Sequence, residues 1–207
     1  MTDSTYYMEH LRRRGGDLSL DFVNTSNRKG AANQQEWLQR YDDFLDWAAY
    51  VGLTERWPDH KKVPRDDGEH DQALQRVLTV REAMYDVCTR AIAGKKDTES
   101  LDLLNEELKK ANEHLILTQT DPGVFKQTYD TDQPDPDALL WPILHHFQAV
   151  LTEGKGARIK QCQNQYCDWL FLDVTKNKSR RWCSPDICGN RAKARRYYAR
   201  LKTEEKQ

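Results

Sequence analysis

Four cysteines near the C-terminus form two pairs with the same internal spacing. The first pair is Cys162-Gln-Asn-Gln-Tyr-Cys167, and after fifteen further residues comes Cys183-Ser-Pro-Asp-Ile-Cys188. Each short loop brings two thiolates to one ion, and the chain between the pairs returns to complete a tetrahedral site. Four soft thiolates favour Zn²⁺ and leave no ligand position for a reactive water. We therefore expect one structural zinc ion, held by Cys162, Cys167, Cys183 and Cys188.

Other uses of four cysteines remain open. Two disulfides are disfavoured because the N-terminus does not resemble a secretory signal, so a reducing, cytoplasmic location is expected. An iron–sulfur cluster also takes four thiolates, but two balanced pairs are more typical of zinc knuckles. Unligated or redox-active thiols are the third alternative. The fifth cysteine, Cys88, lies in a helical pattern and is predicted to be a buried free thiol.

The residues that follow Cys188 form a strongly basic segment. At about 100° per residue, a helix here carries two cationic stripes separated by Ala192 and Ala199. Such a helix fits the phosphates of a nucleic acid, and the simpler alternative is a solvated charged helix at a chain end. The arc opposite the alanines is predicted to pack on the zinc module and the body. One stripe contains Arg191, Arg195 and Lys202, the other Lys193, Arg196 and Arg200, and the apolar arc Ala194, Tyr197, Tyr198 and Leu201.

Charge is divided unevenly along the 207 residues, although the formal net charge is only −1. Residues 158–207 contain 13 Lys and Arg against 5 Asp and Glu, a net charge of +8, whereas residues 1–157 contain 19 against 28, a net charge of −9. An acidic body with a basic tail favours a polyanionic partner for the tail. No apolar run approaches the roughly 20 residues of a membrane span, so no membrane association is expected.

Apolar periodicity predicts four helices before the cysteines. They cover residues 34–51, residues 70–93, a segment capped by Asp97 and a segment that opens at Asp135. A β-hairpin is predicted around Asp121-Pro122-Gly123, because strand-forming residues flank this turn signal. The fold class is therefore mainly α with a small β-hairpin.

The sequence also indicates how the chain is divided into domains. Residues 1–16 are predicted to be a mobile entry segment, and residues 57–68, rich in Pro, Asp and Lys, to be a loop. We expect a mainly helical N-terminal domain in residues 1–156, followed by a four-cysteine zinc-finger module in residues 157–207 that ends in the basic helix.

Several polar residues have ordinary interpretations. Asp21 and Asn24 lie in an apolar stretch without a clear period, where helix capping is the simpler role and a pocket the alternative. His145 and His146 diverge by about 100° on a helix and cannot easily share one ion. The sequence contains no glycine-rich phosphate loop, nucleophile elbow or HExxH motif, and we expect no enzyme activity.

The tail also resembles a known family. Cys188-Gly189-Asn190-Arg191 is the motif that names the CGNR zinc-finger proteins, and Arg180-Arg-Trp-Cys183 and Trp169-Leu-Phe-Leu-Asp173 are similar to neighbouring segments of that family. Gly16-Asp-Leu-Ser-Leu-Asp-Phe-Val-Asn-Thr25 resembles the opening of the ABATE-type domain that its members carry. The resemblance implies a bacterial transcription regulator of a stress-induced type, in which Asn190 and Arg191 begin the functional helix.

The favoured hypothesis is a sequence-specific, zinc-dependent regulator that binds double-stranded DNA. One finger offers a small footprint, so a homodimer on a two-fold site is expected, with the N-terminal domain supplying the interface and an effector site at Asp21 and Asn24. The alternatives are an RNA-binding or ribosome-associated zinc protein, and a thiol redox switch. The predicted nucleic-acid contacts are Arg180, Arg181, Asn190, Arg191, Lys193, Arg195, Arg196 and Arg200.

Overall fold

The computed structural model describes residues 14–27, 35–56, 67–130 and 135–204. Most of the predicted entry segment and nearly all of the predicted loop at residues 57–68 lie outside these ranges. The described α-helices are α1 Leu18–Val23, α2 Tyr41–Tyr50, α3 Leu53–Arg56, α4 Asp67–Ile92, α5 Thr98–Glu113, α6 Leu140–Thr152 and α7 Asn190–Glu204. The strands are β1 Ser26–Asn27, β2 Gln35–Glu36, β3 Leu115–Asp121, β4 Val124–Tyr129, β5 Ile159–Gln161 and β6 Leu170–Leu172.

The strands form three antiparallel pairs, β1 with β2, β3 with β4 and β5 with β6. The β3–β4 pair is the predicted hairpin, and Gly123, with φ of +79°, closes its turn. The fold class is confirmed as mainly α with small β-hairpins, ending in the helix after the four cysteines. None of the described helices is long and apolar enough to cross a membrane.

Two predicted helix starts were wrong. Helix α2 begins at Tyr41 rather than near residue 34, because Gln35 and Glu36 pair with β1 and the Asp43 carboxylate caps the helix by accepting the Arg40 N–H at 2.8 Å. Helix α6 begins at Leu140 rather than Asp135, whose side chain accepts the Asp137 N–H at 2.7 Å in a separate turn. Helix α5 starts as predicted, with Asp97 accepting the Ser100 N–H.

Helix α1 lies at the centre of the fold, although its sequence shows no helical period. Asp17 caps it by accepting the Ser19 N–H at 2.9 Å. All of its residues except Leu18 are buried, Asp21 included, because it packs against α6, α4 and β6. A helix buried on every side has no polar face, so an amphipathic pattern is not to be expected there.

A buried arginine holds the β1–β2 pair against α4. Arg81 is 2% exposed and donates from Nη1 to Glu36 Oε1 at 2.7 Å and to Thr25 Oγ1 at 3.1 Å, and its Nη2 forms an ion pair with the same glutamate. This ion pair was missed from the sequence, since neither residue belongs to a recognisable motif. Burying a charge requires such a partner, so the pair fixes the position of β2.

One hydrophobic core runs through the described structure. It includes side chains from α1, α2, α4 and α6 and continues without a break to Trp169, Phe171 and the four paired cysteines. Cys88 is part of this core, and burial raises the pKa of its thiol to about 12, as expected for an inert buried thiol. The zinc-finger module is therefore packed on the helices and shares their core.

Candidate metal centre and nucleic-acid interface

The four cysteines converge on one point. Their Sγ atoms all lie within 4.8 Å of one another, and all four residues are buried. Cys183 Sγ lies 3.7 Å from both Cys167 Sγ and Cys188 Sγ. Four sulfurs placed tetrahedrally at roughly 2.3 Å from one ion stand about 3.8 Å apart. The geometry therefore fits a four-thiolate zinc site.

The same distances exclude disulfides in this arrangement. A disulfide needs an S–S distance of about 2.0 Å, and all five cysteines are free. The hydrogen bond from the Cys167 thiol lowers the pKa of Cys162 and, by the same contact, raises the pKa of Cys167. A cation removes this competition between neighbouring sulfurs, because it holds all four as thiolates.

Asn164 connects the two cysteine loops. It is 1% exposed, and its backbone carbonyl accepts the Cys167 N–H at 2.9 Å while its Oδ1 accepts the Tyr166 N–H at 3.1 Å. Its Nδ2 donates to the Cys188 carbonyl at 3.4 Å, and its Oδ1 also accepts from Arg195 Nη2. The sequence signal for this role was an Asn inside a short cysteine loop, where such residues favour tight turns.

The segment between the cysteine pairs folds around Asp173. This carboxylate is fully buried and accepts from Lys160 Nζ at 2.7 Å, the Thr175 N–H at 3.0 Å and the Arg180 N–H at 3.0 Å. Burial alone raises the pKa of Asp173, but the hydrogen bonds from Lys160 and Thr175 outweigh it and hold the pKa below its usual value. The charged form is thus favoured by folding, and its stabilisation is lost as the pH falls below about 4.

Replacing Asp173 with asparagine is expected to loosen the loop it organises. The Asp173→Asn change removes the charge that Lys160 pairs with, so trypsin should cleave after the exposed Lys176 several-fold faster at neutral pH. Asp186→Asn, at an exposed acid of the same module, is the matched control and should leave the cleavage rate unchanged. Equal cleavage rates in wild type and Asp173→Asn would contradict this role.

Arg180 is directed into the protein. Its Nε donates to the Trp182 carbonyl at 3.0 Å and its Nη1 to the Leu172 carbonyl at 3.2 Å. Its Nη2 donates to the carbonyls of Arg14, at 3.2 Å, and Cys183. The guanidinium also lies 4.4 Å from the centre of the Phe171 ring. These contacts join the zinc module to the start of the described chain.

Helix α7 begins directly at the metal centre. Cys188 and Gly189 lie in a π-helical turn, Pro185–Gly189, that runs into α7, and Ser184 Oγ caps this turn by accepting the Ile187 N–H. A side chain at Gly189 would place its Cβ 3.0 Å from Trp182 Cδ1, so the glycine permits close packing on the indole. The direction of α7 is thereby set by the cysteine loop and by Trp182.

Among the described residues, the predicted apolar arc of α7 does not pack on the zinc module or the body. Tyr197 is 53% exposed, Tyr198 64% and Leu201 37%, so this prediction was wrong. The opposite side of the helix faces the module instead: Ala192 is buried, and Arg195 donates to Asn164 and lies 5.4 Å from the centre of the Tyr166 ring. The helix leaves the module after its first turns, which leaves its later apolar residues without a surface to cover.

Two cationic grooves run along α7. Arg195 and Lys202 of the first predicted stripe line one groove, and the second stripe, Lys193, Arg196 and Arg200, lines the other. None of the described residues lining either groove is acidic. In the first, Arg181 is held by Gln163 Oε1 at 2.6 Å and lies 5.2 Å from the centre of the Trp182 ring. Asn190 and Arg191 are exposed at the start of the helix. The first groove, of about 620 Å³, is lined by Gln165, Arg181, Trp182, Ala192, Arg195, Arg196, Tyr198, Ala199 and Lys202, and the second, of about 520 Å³, by Lys193, Arg196, Ala199 and Arg200.

Asn24 and Asp21 serve the junction between α1 and the zinc module. Asn24 Nδ2 donates to the Leu170 carbonyl at 2.8 Å, and Asn24 Oδ1 accepts the Leu170 N–H at 2.8 Å. Asp21 Oδ1 accepts the Gly15 N–H, and the Gly15 carbonyl accepts the N–H of Leu172. The side chains of Asp21 and Asn24 are both buried in these contacts. Their role in binding an effector stays a prediction.

His145 and His146 have different partners. His145 Nε2 lies 2.9 Å from Asn112 Oδ1, its Nδ1 contacts the Tyr129 hydroxyl, and burial lowers its pKa. His146 Nδ1 lies 3.5 Å from Asp17 Oδ2, at the cap of α1. The two rings therefore contact different partners, in agreement with their separation of about 100° on the helix.

The fold and the site define a helical protein that carries a four-cysteine zinc finger packed on its core. Comparison with family models agrees. The model described as "Putative stress-induced transcription regulator" (ABATE) matches residues 16–154, and the CGNR zinc finger matches residues 158–201. The chain belongs to the ABATE family and ends in a CGNR zinc finger, which confirms the resemblance seen in the sequence. A search of curated proteins finds no match.

Proposed function

We propose that the chain is a zinc-dependent transcription regulator that binds double-stranded DNA through α7. The observation that carries the proposal is the continuity of Cys188 with α7, so that the metal centre sets the direction of a cationic helix. The ABATE and CGNR matches support a regulatory role, and the net charge of +8 in residues 158–207 supports a polyanionic partner.

The proposed DNA contacts are of two kinds, to phosphates and to base edges, according to where each residue lies on the module. Arg181 and Arg195 are held in place by Gln163 and Asn164, so they meet a phosphate with little loss of side-chain entropy. Arg196 lines both grooves, so its guanidinium is within reach of a phosphate on either side of α7. Asn190 and Arg191 lie at the exposed start of the helix, the part of a recognition helix that reads base edges, where Asn pairs with adenine and Arg with guanine.

Arg180 has a different role in this proposal. Four of its N–H directions are used by backbone carbonyls, so it holds the module together and does not contact DNA. Replacing Arg180 is expected to lower the free energy of unfolding more than it lowers the affinity for DNA.

We further propose that the N-terminal domain forms a homodimer and carries an effector site. An effector that displaces α1 changes the position of β6, because Asn24 bonds both polar groups of the Leu170 backbone. The sequence predicted that Asp21 and Asn24 bind the effector; we propose instead that they transmit its effect to the finger. The domain boundary at residues 156/157 then separates two functions that share one core.

Neutralising one groove is expected to weaken DNA binding and its dependence on salt. Lys193→Gln with Arg200→Gln removes two proposed phosphate contacts from exposed positions. The slope of log K against log salt should fall by roughly 2, and the affinity at 0.15 M salt by at least about tenfold, as measured by fluorescence anisotropy on a duplex. Lys95→Gln with Lys96→Gln, exposed lysines of the N-terminal domain, is the charge-matched control. Equal effects of the two double variants would contradict the placement of the interface.

A second candidate function is RNA binding. Tyr197 and Tyr198 are both more than half exposed beside the cations of α7, and Trp182 lines the first groove. Aromatic side chains next to cations suit the stacking of unpaired bases. Single-stranded RNA that displaces duplex DNA from the zinc-loaded protein, with loss of that preference in Tyr198→Ala, would favour this function over the first.

A further inference from the structure

The β3–β4 hairpin is a two-stranded sheet, and no other element of the described residues pairs with it. Residues 119–127 are all exposed. Three apolar side chains are more than half exposed: Leu117 at 69%, Phe125 at 61% and Val124 at 51%. A bulge between Gln119 and Asp121 interrupts the strand pairing near the turn, but it does not cover these side chains. An exposed group of apolar side chains is a surface on which another chain packs.

The strand register places the two most exposed of these side chains together. Leu117 lies opposite Gln127 and Phe125 opposite Gln119, so Leu117 and Phe125 are diagonal neighbours on one face. Tyr129 lies on the same face at the base of the hairpin, where it packs on Trp141 of α6. The apolar face thus continues from the core to the exposed tip.

Charge indicates which partner fits this face. The hairpin from Leu115 to Tyr129 contains one acid, Asp121, and one base, Lys126, so its net charge is zero. The rest of residues 1–157 therefore carries the whole net charge of −9. Two copies that approach through other parts of the acidic domain repel each other, whereas their hairpins meet without a net charge on either side.

We propose that two copies of this chain pair through their β3–β4 hairpins, with the Leu117 and Phe125 face of one against that of the other around a two-fold axis. Such an interface is self-complementary, and it removes the exposed apolar surface of both copies. A hairpin supplies less than the roughly 800 Å² per partner of a standard interface, so the dissociation constant is expected in the micromolar range. This inference names the surface of the homodimer that the proposed function uses, and its test contains no DNA, so either can fail without the other.

The experiment compares the mass of the zinc-loaded full chain and its variants by sedimentation velocity across the micromolar range. The wild type is expected to shift from 24.3 kDa toward twice that mass with increasing concentration. Leu117→Glu with Phe125→Glu places four like charges in the interface and is expected to raise the dissociation constant at least about a hundredfold. Both positions are exposed, so thermal stability at low concentration should not change.

The matched control is Val174→Glu, at an apolar side chain 71% exposed in the zinc module. It should dimerise like the wild type. Hydrogen exchange of the β3 and β4 amides should also slow with concentration in the wild type and in the control, but not in the double variant. A wild type that stays monomeric at 100 µM, assembly beyond a dimer, or a dimer unaffected by the double variant would each overturn the proposal.

Discussion

Replacing Cys183 with serine is expected to remove the bound zinc and most of the order of the C-terminal module. Cys183 Sγ is central to the cluster, at 3.7 Å from two of the other sulfurs. Structural zinc contributes on the order of 10 kcal/mol to the folding of small fingers, and three thiolates hold it far less tightly than four. Zinc content should fall from one ion per chain toward zero, and the near-ultraviolet circular dichroism of Trp169 and Trp182 should largely disappear.

The effect should reach the N-terminal domain, because the core of the two modules is continuous. The unfolding midpoint of the whole chain is expected to drop with the zinc. Most of the helical signal should persist at low temperature, since α4 contacts both α2 and α5, and α5 contacts α6. Cys88→Ala, at a buried cysteine outside the cluster, is the matched control and should retain the ion. Full zinc occupancy in Cys183→Ser would show that the cluster is not a four-thiolate site.

Replacing Asn24 with alanine is expected to destabilise the protein strongly. Asn24 is 4% exposed, and the Nδ2 and Oδ1 of its side-chain amide each form a 2.8 Å hydrogen bond with the backbone of Leu170. Alanine leaves a buried N–H and a buried carbonyl without their partner, at about 1–3 kcal/mol for each group. We expect Asn24→Ala to lose roughly 2–5 kcal/mol and to lower Tm by roughly 5–15 °C, measured by denaturant and thermal unfolding.

Asn27 offers the comparison for this prediction. It joins the same two parts of the chain through an exposed hydrogen bond from Nδ2 to the Tyr166 carbonyl at 3.2 Å. Asn27→Ala should cost at most about 1 kcal/mol. If the two variants lose the same stability, the Asn24–Leu170 contact does not carry the junction.

The metal centre was predictable from the sequence because ligand spacing survives in any fold that holds the ion. The same is true of Asp97 and of the Asp121-Pro122-Gly123 turn, since caps and turns depend on residues next to one another in the chain. The two cationic stripes of α7 were also predictable, because the pitch of a helix fixes them. Each of these features is decided locally.

The features that were not predicted from the sequence depend on tertiary contacts. Helix α1 has no visible period because neighbours cover it on every side, and Asn24 contacts a residue 146 positions away. Arg180 is one of a pair of adjacent arginines, yet it is directed inward while Arg181 lines a groove. The exposure of Tyr197 and Tyr198 follows from the direction in which α7 leaves the module, which no local pattern encodes.

The most direct test of the proposed DNA recognition is the selection of duplexes from a random pool by the zinc-loaded full chain at 0.15 M salt. We expect enrichment of one two-fold sequence that binds at least about a thousandfold more tightly than random duplex. Chelation of zinc should abolish that preference, and Arg191→Ala with Arg195→Ala should weaken it strongly. A pool that remains random, or a preference unchanged after the metal is removed, would contradict the claim that the zinc centre positions α7 to read DNA.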